Sequence, residues 1–144
     1  MKQVTAILLG AGQRGADVYA EYALQFPNEL KIIAAAEPRA DRREAFAQLH
    51  NIPAENVTET WEPLLEREKF ADCVLVCTQD RMHFDPVMIA LEKGYDVLCE
   101  KPMSNEIPGT ASRMEQQLDY KVKVNFFANV SCEADYPEFT PAAR

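Results

Sequence analysis

No apolar run in this chain approaches the ~20 residues of a membrane-spanning helix, and no solenoid-type repeat or low-complexity stretch is visible. The N-terminus carries one lysine, Lys2, and then enters an apolar run, so it does not read as a secretory signal. Positive charge is short: 15 Lys and Arg stand against 23 Asp and Glu, a net charge of −8. That balance argues against nucleic acid or an anionic membrane surface as the main partner. Cysteine is sparse, at Cys73, Cys77, Cys99 and Cys132. Cys73 and Cys77 lie in the apolar run Cys73-Val74-Leu75-Val76-Cys77. In a strand they would share a face roughly 13 Å apart, at ~3.3 Å per residue, which excludes a shared zinc or a bridge between them. The set reads as small core residues in a reducing compartment, so no metal site and a cytoplasmic location are expected.

What remains is a chain of 144 residues, 47% hydrophobic and 26% charged, which suits one globular domain with a proper core. Its most informative stretch is Val4-Thr5-Ala6-Ile7-Leu8-Leu9 running into Gly10-Ala11-Gly12-Gln13-Arg14-Gly15. An apolar strand, then G-x-G-x-x-G, then a helix-compatible segment is the order of a dinucleotide-binding turn. Gly10 gives the tight turn, Gly12 lets the backbone approach a pyrophosphate, and Gly15 lets the helix pack closely on the sheet. The helix start offers N–H groups and a partial positive charge of roughly +0.5 to the anion.

Strands and helices then alternate. A helix over residues 14–26 carries Val18, Tyr22 and Phe26 at four-residue spacing and closes at Pro27-Asn28. Lys31 to Ala36 reads as a second strand, ending at Glu37-Pro38. Asp41, with Glu44 at the capping-box offset, is the expected cap of a helix reaching about His50, itself taken as a surface residue. A short strand near Val57 and a helix around Trp61–Arg67 follow, then a buried strand over 72–77. Pro86 suits the first turn of a helix that ends at Gly94, and Asp96–Cys99 is a further strand. Near-continuous apolar strands separated by helices imply an α/β fold: a doubly wound parallel sheet, the Rossmann NAD(P)-binding fold, over residues 1–125. A helix over 110–118 and a strand over 121–125 complete it. Residues 126–144 read as an irregular tail.

Glu37 follows the glycine turn by about the 20 residues expected of the acid that accepts hydrogen bonds from ribose hydroxyls. A carboxylate there repels a 2′-phosphate and favours NAD; Arg39, two residues on, keeps NADP possible. Thr78, His83 and Glu100-Lys101-Pro102 fall where strands end, on the same carboxyl edge as the glycine turn. Lys101 is a placed ammonium, held by Glu100, that can polarise a substrate hydroxyl or carbonyl during hydride transfer. His83 could contact substrate or cofactor, or shuttle a proton.

The G-x-G-x-R-G turn, Glu37, His83 five residues past Thr78, and above all Glu100-Lys101-Pro102 after Gly94-Tyr95-Asp96-Val97-Leu98 resemble the N-terminal domain of the glucose–fructose oxidoreductase, inositol 2-dehydrogenase and MocA family. The resemblance covers residues 3 to about 105. It implies a cofactor domain for NAD or NADP and chemistry on hydroxyl and carbonyl groups of sugars, inositols and related polyols. By resemblance Lys101 is the catalytic, substrate-side lysine beside the nicotinamide. By the same resemblance Gly10, Gly12, Gln13, Arg14 and Gly15 lie along the pyrophosphate, Glu37 on the adenosine ribose, and Thr78 and His83 beside the nicotinamide half; Ala11, Arg39 and Glu100 are further expected cofactor-binding positions. Two departures stand out: Gln79-Asp80 replaces the usual Pro or Asn after the threonine, and this chain stops at Arg144 where relatives add a substrate domain of roughly 200 residues.

With that second domain absent, the expectation is a chain that binds cofactor with little or no turnover. An uncovered sheet edge further suggests a homo-oligomer. A nucleotide-binding or sensor module without catalysis is the alternative, as is a non-redox enzyme that uses NAD transiently.

Overall fold

The computed structural model describes residues 2–101, apart from the side chain of Asp80. The helix expected over 110–118, the strand over 121–125, the tail from 126, the boundary between them and Cys132 lie outside the described residues.

Five strands, β1 (Val4–Leu9), β2 (Leu30–Ala36), β3 (Val57–Thr58), β4 (Cys73–Val76) and β5 (Asp96–Cys99), form one parallel sheet in the order β3-β2-β1-β4-β5. The order in which strands are added reverses at β1, with β2 and β3 on one side and β4 and β5 on the other, all parallel. Because β1 is central, both of its faces are covered, and its apolar residues run without interruption. Ile7 and Leu9 enter one core cluster with Leu64, Leu65, Val87 and Tyr95. Ala6 and Leu8 enter a second with Ala20, Ala23, Phe46 and Ile52. Each fully buried Leu or Ile contributes about 1.5–3 kcal/mol.

The helices divide accordingly. A π-helical turn, Gly15–Ala20, runs into α1 (Glu21–Gln25), and with α2 (Ala40–Leu49) it covers one face. α3 (Glu62–Leu65) and α4 (Phe84–Glu92) cover the other. β2 carries one extra residue opposite β1, since Ala6 pairs with Ile32 and Ile7 with Ala34. The carbonyl of that residue, Ile33, accepts a hydrogen bond of 3.0 Å from Asn56 Nδ2, so the bulge leaves no orphaned acceptor. The Glu92 end of α4 closes at Gly94, whose φ of +78° is the left-handed conformation foreseen for it.

Three local expectations are corrected. The stripe Val18, Tyr22 and Phe26 faces outward, with exposures of 47%, 44% and 44%. The sheet is met instead by Ala16, Ala20 and Ala23, with Tyr19 partly buried beside them, because a helix drawn close at a glycine favours small side chains where it touches the sheet. Asp41 does not cap α2: Arg39 holds the N-cap position, without a side-chain capping bond. The Asp41 carboxylate is turned to the Arg39 guanidinium. His50 is buried at 8% exposure, its ring 4.3 Å from that of Phe46. Burial lowers its pKa, favouring the neutral ring.

Candidate functional site

Parallel strands deliver all their carboxyl ends to one edge, and where the strand order reverses the connections diverge and leave a crevice. At that edge lies a cleft of about 470 Å³ bounded by Gly10 and Gly12 after β1, Glu37, Pro38, Arg39 and Arg42 after β2, Glu59–Glu62 after β3, and Cys77–Gln79 with Met82 after β4.

The three glycines of the turn have different reasons. Gly10 has φ +93°, and a Cβ there would lie 2.5 Å from the Cys77 carbonyl oxygen. A Cβ on Gly15 would lie 2.1 Å from the Gly10 carbonyl oxygen, so the helix start abuts the turn. At Gly12 the nearest described atom is Arg42 Nη1, at 3.8 Å. The protein's own packing therefore demands glycine at 10 and 15. At 12 the space is left open on the side of the cleft, which suits a ligand backed against the chain. Gln13 and Arg14 are exposed at the start of the π-helical turn.

Glu37 is 5% exposed. Its Oε2 accepts the Ala11 N–H at 2.8 Å and its Oε1 the Arg39 N–H at 3.0 Å. One carboxylate thus ties the glycine turn to the β2–α2 connection and stays fixed at the cleft wall. Of the arginines that follow, Arg43 Nη1 donates to the carbonyls of Glu37 and Pro38 (2.7 and 3.1 Å). Arg42 reaches toward Gly12. Arg39 donates through Nε and Nη2 to Asp41 (3.2 and 2.6 Å). That hydrogen bond is the main reason the Asp41 carboxyl titrates below its ordinary range and the Arg39 guanidinium above its own.

Beside the cleft, the end of β5 is locked to the helix start. Tyr19 donates its hydroxyl to Glu100 Oε1 at 2.5 Å, and Glu100 Oε2 accepts the Lys101 N–H at 3.2 Å. The Glu100 N–H in turn donates to the Val76 carbonyl at 2.9 Å. Burial, and then the hydrogen bond to Glu100, push the Tyr19 phenol up to about 12. The Lys101 side chain is exposed. His83 is fully buried, and its Nε2–H donates to the Thr78 carbonyl at 2.9 Å; a carbonyl can only accept, which fixes the tautomer. His83 lies behind the loop that presents Thr78 to the cleft.

Burial raises the thiols of Cys73, Cys77 and Cys99, to about 11, 12 and 12. They remain protonated packing groups, poor as metal ligands or nucleophiles. Among the described residues no cluster of three or more His, Cys, Asp or Glu could hold a metal ion, and no helix is long and apolar enough to cross a membrane.

Of the residues singled out in the sequence, Gly10, Gly12, Glu37, Arg39 and Thr78 line the cleft itself. Ala11 and Gly15 are buried behind it, and Glu100 and Lys101 stand at the adjoining strand end. Arg42, Trp61, Met82 and Tyr19 were not foreseen. For Trp61, the chain's single tryptophan, the signal was its position just past a short strand on the same sheet edge.

A model of the Gfo/Idh/MocA oxidoreductase family, described by its NAD-binding Rossmann fold, matches residues 4–127. The chain belongs to this family. Among the relatives it resembles is the D-glucoside 3-dehydrogenase of Escherichia coli K12, 30% identical over 119 residues, 78% of this chain and 33% of that protein. The chain thus spans about a third of the length of the curated relatives it matches. Among solved structures, the WlbA dehydrogenase of Chromobacterium violaceum in complex with NADH and UDP-GlcNAcA has a TM-score of 0.70 at 18% identity, over 83% of this chain and 33% of that one. The 3-ketoreductase KijD10 of Actinomadura kijaniata, in complex with NADP, has a TM-score of 0.66 at 24% identity, over 81% and 36%. These structural likenesses establish the shared fold.

Proposed function

We propose that this chain is the cofactor-binding part of an NAD-dependent oxidoreductase acting on hydroxyl or carbonyl groups of sugars, inositols or related polyols. The observation that carries the reading is the cleft: a glycine turn with open space at Gly12, a fixed carboxylate at Glu37 and the Thr78 loop face one another there. The residues fit a dinucleotide from end to end. N–H groups of Gly12, Gln13 and Arg14 at the helix start suit a pyrophosphate. Glu37 keeps lone pairs for the adenosine ribose hydroxyls, and Thr78 faces the nicotinamide half. The cofactor supplies the hydride chemistry.

The chain's own contribution is placement. Lys101, held through the Glu100 carboxylate and Tyr19, presents its ammonium to the oxygen of a carbinol or carbonyl and stabilises the charge that develops there. His83 acts through Thr78, holding that loop against the cleft. A sugar-3-dehydrogenase relative and structures bound to NADH and to a nucleotide-sugar support the substrate class. The fixed acid at Glu37 supports NAD over NADP.

Titration of the purified chain with NADH, followed by nicotinamide fluorescence, tests the reading. Saturable binding that weakens at least tenfold in Glu37→Ala, about 1.4 kcal/mol, is expected. Absence of saturable binding would contradict it.

A further inference from the structure

Three arginines, Arg39, Arg42 and Arg43, crowd the connection from β2 into α2, where the adenosine ribose of a bound dinucleotide would sit. Their assignments differ. Arg43 is spent on the backbone carbonyls of Glu37 and Pro38. Arg42 extends over Gly12, on the pyrophosphate side of the cleft. Arg39 follows Glu37 by two residues on the cleft wall, and its backbone N–H is bonded to the Glu37 carboxylate. It is the cation placed to meet a ribose 2′-phosphate. Yet its guanidinium is held by two hydrogen bonds to Asp41, at 3.2 and 2.6 Å.

We propose that Asp41 is a specificity-determining residue: by holding the Arg39 guanidinium and adding its own negative charge, it denies the site to a 2′-phosphate. The inference rests on the proposed dinucleotide site and deepens it. Two acids then exclude NADPH by different means. Glu37 is buried and doubly bonded to backbone, so it cannot swing aside. Asp41 is exposed, and it neutralises the arginine whose backbone N–H is bonded to the Glu37 carboxylate. This also accounts for an aspartate that sits at a helix start without capping it. The Arg39–Asp41 pair is a surface pair, each side chain more than half exposed. Such exposed pairs are weak and screened by salt, so removing Asp41 shifts selectivity by a modest factor.

The test is a titration of the full 144-residue chain with NADH and with NADPH, by nicotinamide fluorescence at low salt, on wild type, Asp41→Asn and the double variant Arg39→Ala/Asp41→Asn. Circular dichroism checks that each is folded. Asp41→Asn is expected to tighten NADPH by about two- to fivefold with NADH nearly unchanged, the gain shrinking as salt is added. The double variant is expected to lose that gain. An unchanged ratio of the two affinities in Asp41→Asn, or a gain that survives without Arg39, would overturn the role of Asp41 while leaving the dinucleotide site intact. Failure of the wild type to bind either cofactor would overturn the proposed function and this inference together.

Discussion

A single missing Cβ can serve the fold or a ligand, and the glycine turn contains both kinds. Gly10→Ala forces a residue with a side chain to φ +93° and against the Cys77 carbonyl. It is expected to destabilise the chain by at least about 1–3 kcal/mol in urea denaturation. Gly15→Ala meets the Gly10 carbonyl even more closely and is expected to behave similarly. Gly12→Ala finds room in the protein. It is expected to keep stability within about 0.5 kcal/mol of wild type, while NADH binding weakens at least tenfold, about 1.4 kcal/mol. Equal loss of stability at all three positions would remove the argument that the space at 12 belongs to a ligand. The G-x-G-x-x-G pattern was legible in the sequence, but this division of roles was not, since it depends on which atoms the fold brings opposite each glycine. His50 was misplaced for the same kind of reason: nothing local marks a histidine whose ring will stack on Phe46.

Elements that depend on period and end signals were read well. β5 was expected over Asp96–Cys99 and forms there, because the short apolar run Val97-Leu98-Cys99 lies between a left-handed glycine, Gly94, and the charged pair Glu100-Lys101. The outward face of α1 was not legible, since Val18, Tyr22 and Phe26 make the more apolar stripe and only the close approach to the sheet selects alanines instead. The bond between Tyr19 and Glu100 joins residues 81 positions apart, beyond the reach of any local pattern. At the opposite edge of the sheet a comparable stitch carries a pH prediction. Asp72 Oδ2 accepts both the Thr5 N–H and its hydroxyl, at 2.8 and 2.7 Å, joining β1 to the start of β4. Chiefly through the Thr5 backbone N–H, the Asp72 carboxyl is held down at about 2, from an ordinary 3.8. A depressed carboxyl stabilises the fold above its unfolded pKa and loses that contribution as the proton returns. Stability is therefore expected to fall between about pH 4 and pH 2, with that portion of the slope missing in Asp72→Asn, as acid titrations monitored by circular dichroism would report. An identical acid slope in the variant would contradict the assignment.

At the scale of the whole molecule, chemistry follows from topology. Parallel strands with a reversal of order at β1 gather the glycine turn, Glu37, Thr78 and the Glu100-Lys101 pair at one edge, although these residues span most of the described chain. That gathering was legible in the sequence because each group directly follows an apolar run. The β3 side of the cleft, with Thr60 and Trp61, was not, because a two-residue strand gives little signal. The most direct test of the account is to titrate the isotopically labelled chain with NADH and follow its backbone amides by nuclear magnetic resonance. The largest shifts are predicted at Ala11, Gly12, Gln13, Arg14, Arg39 and Thr78, with Thr5 and Asp72 at the far edge almost unmoved. Shifts centred on Thr5 and Asp72, or none at the glycine turn, would contradict a dinucleotide site at the carboxyl edge of the sheet.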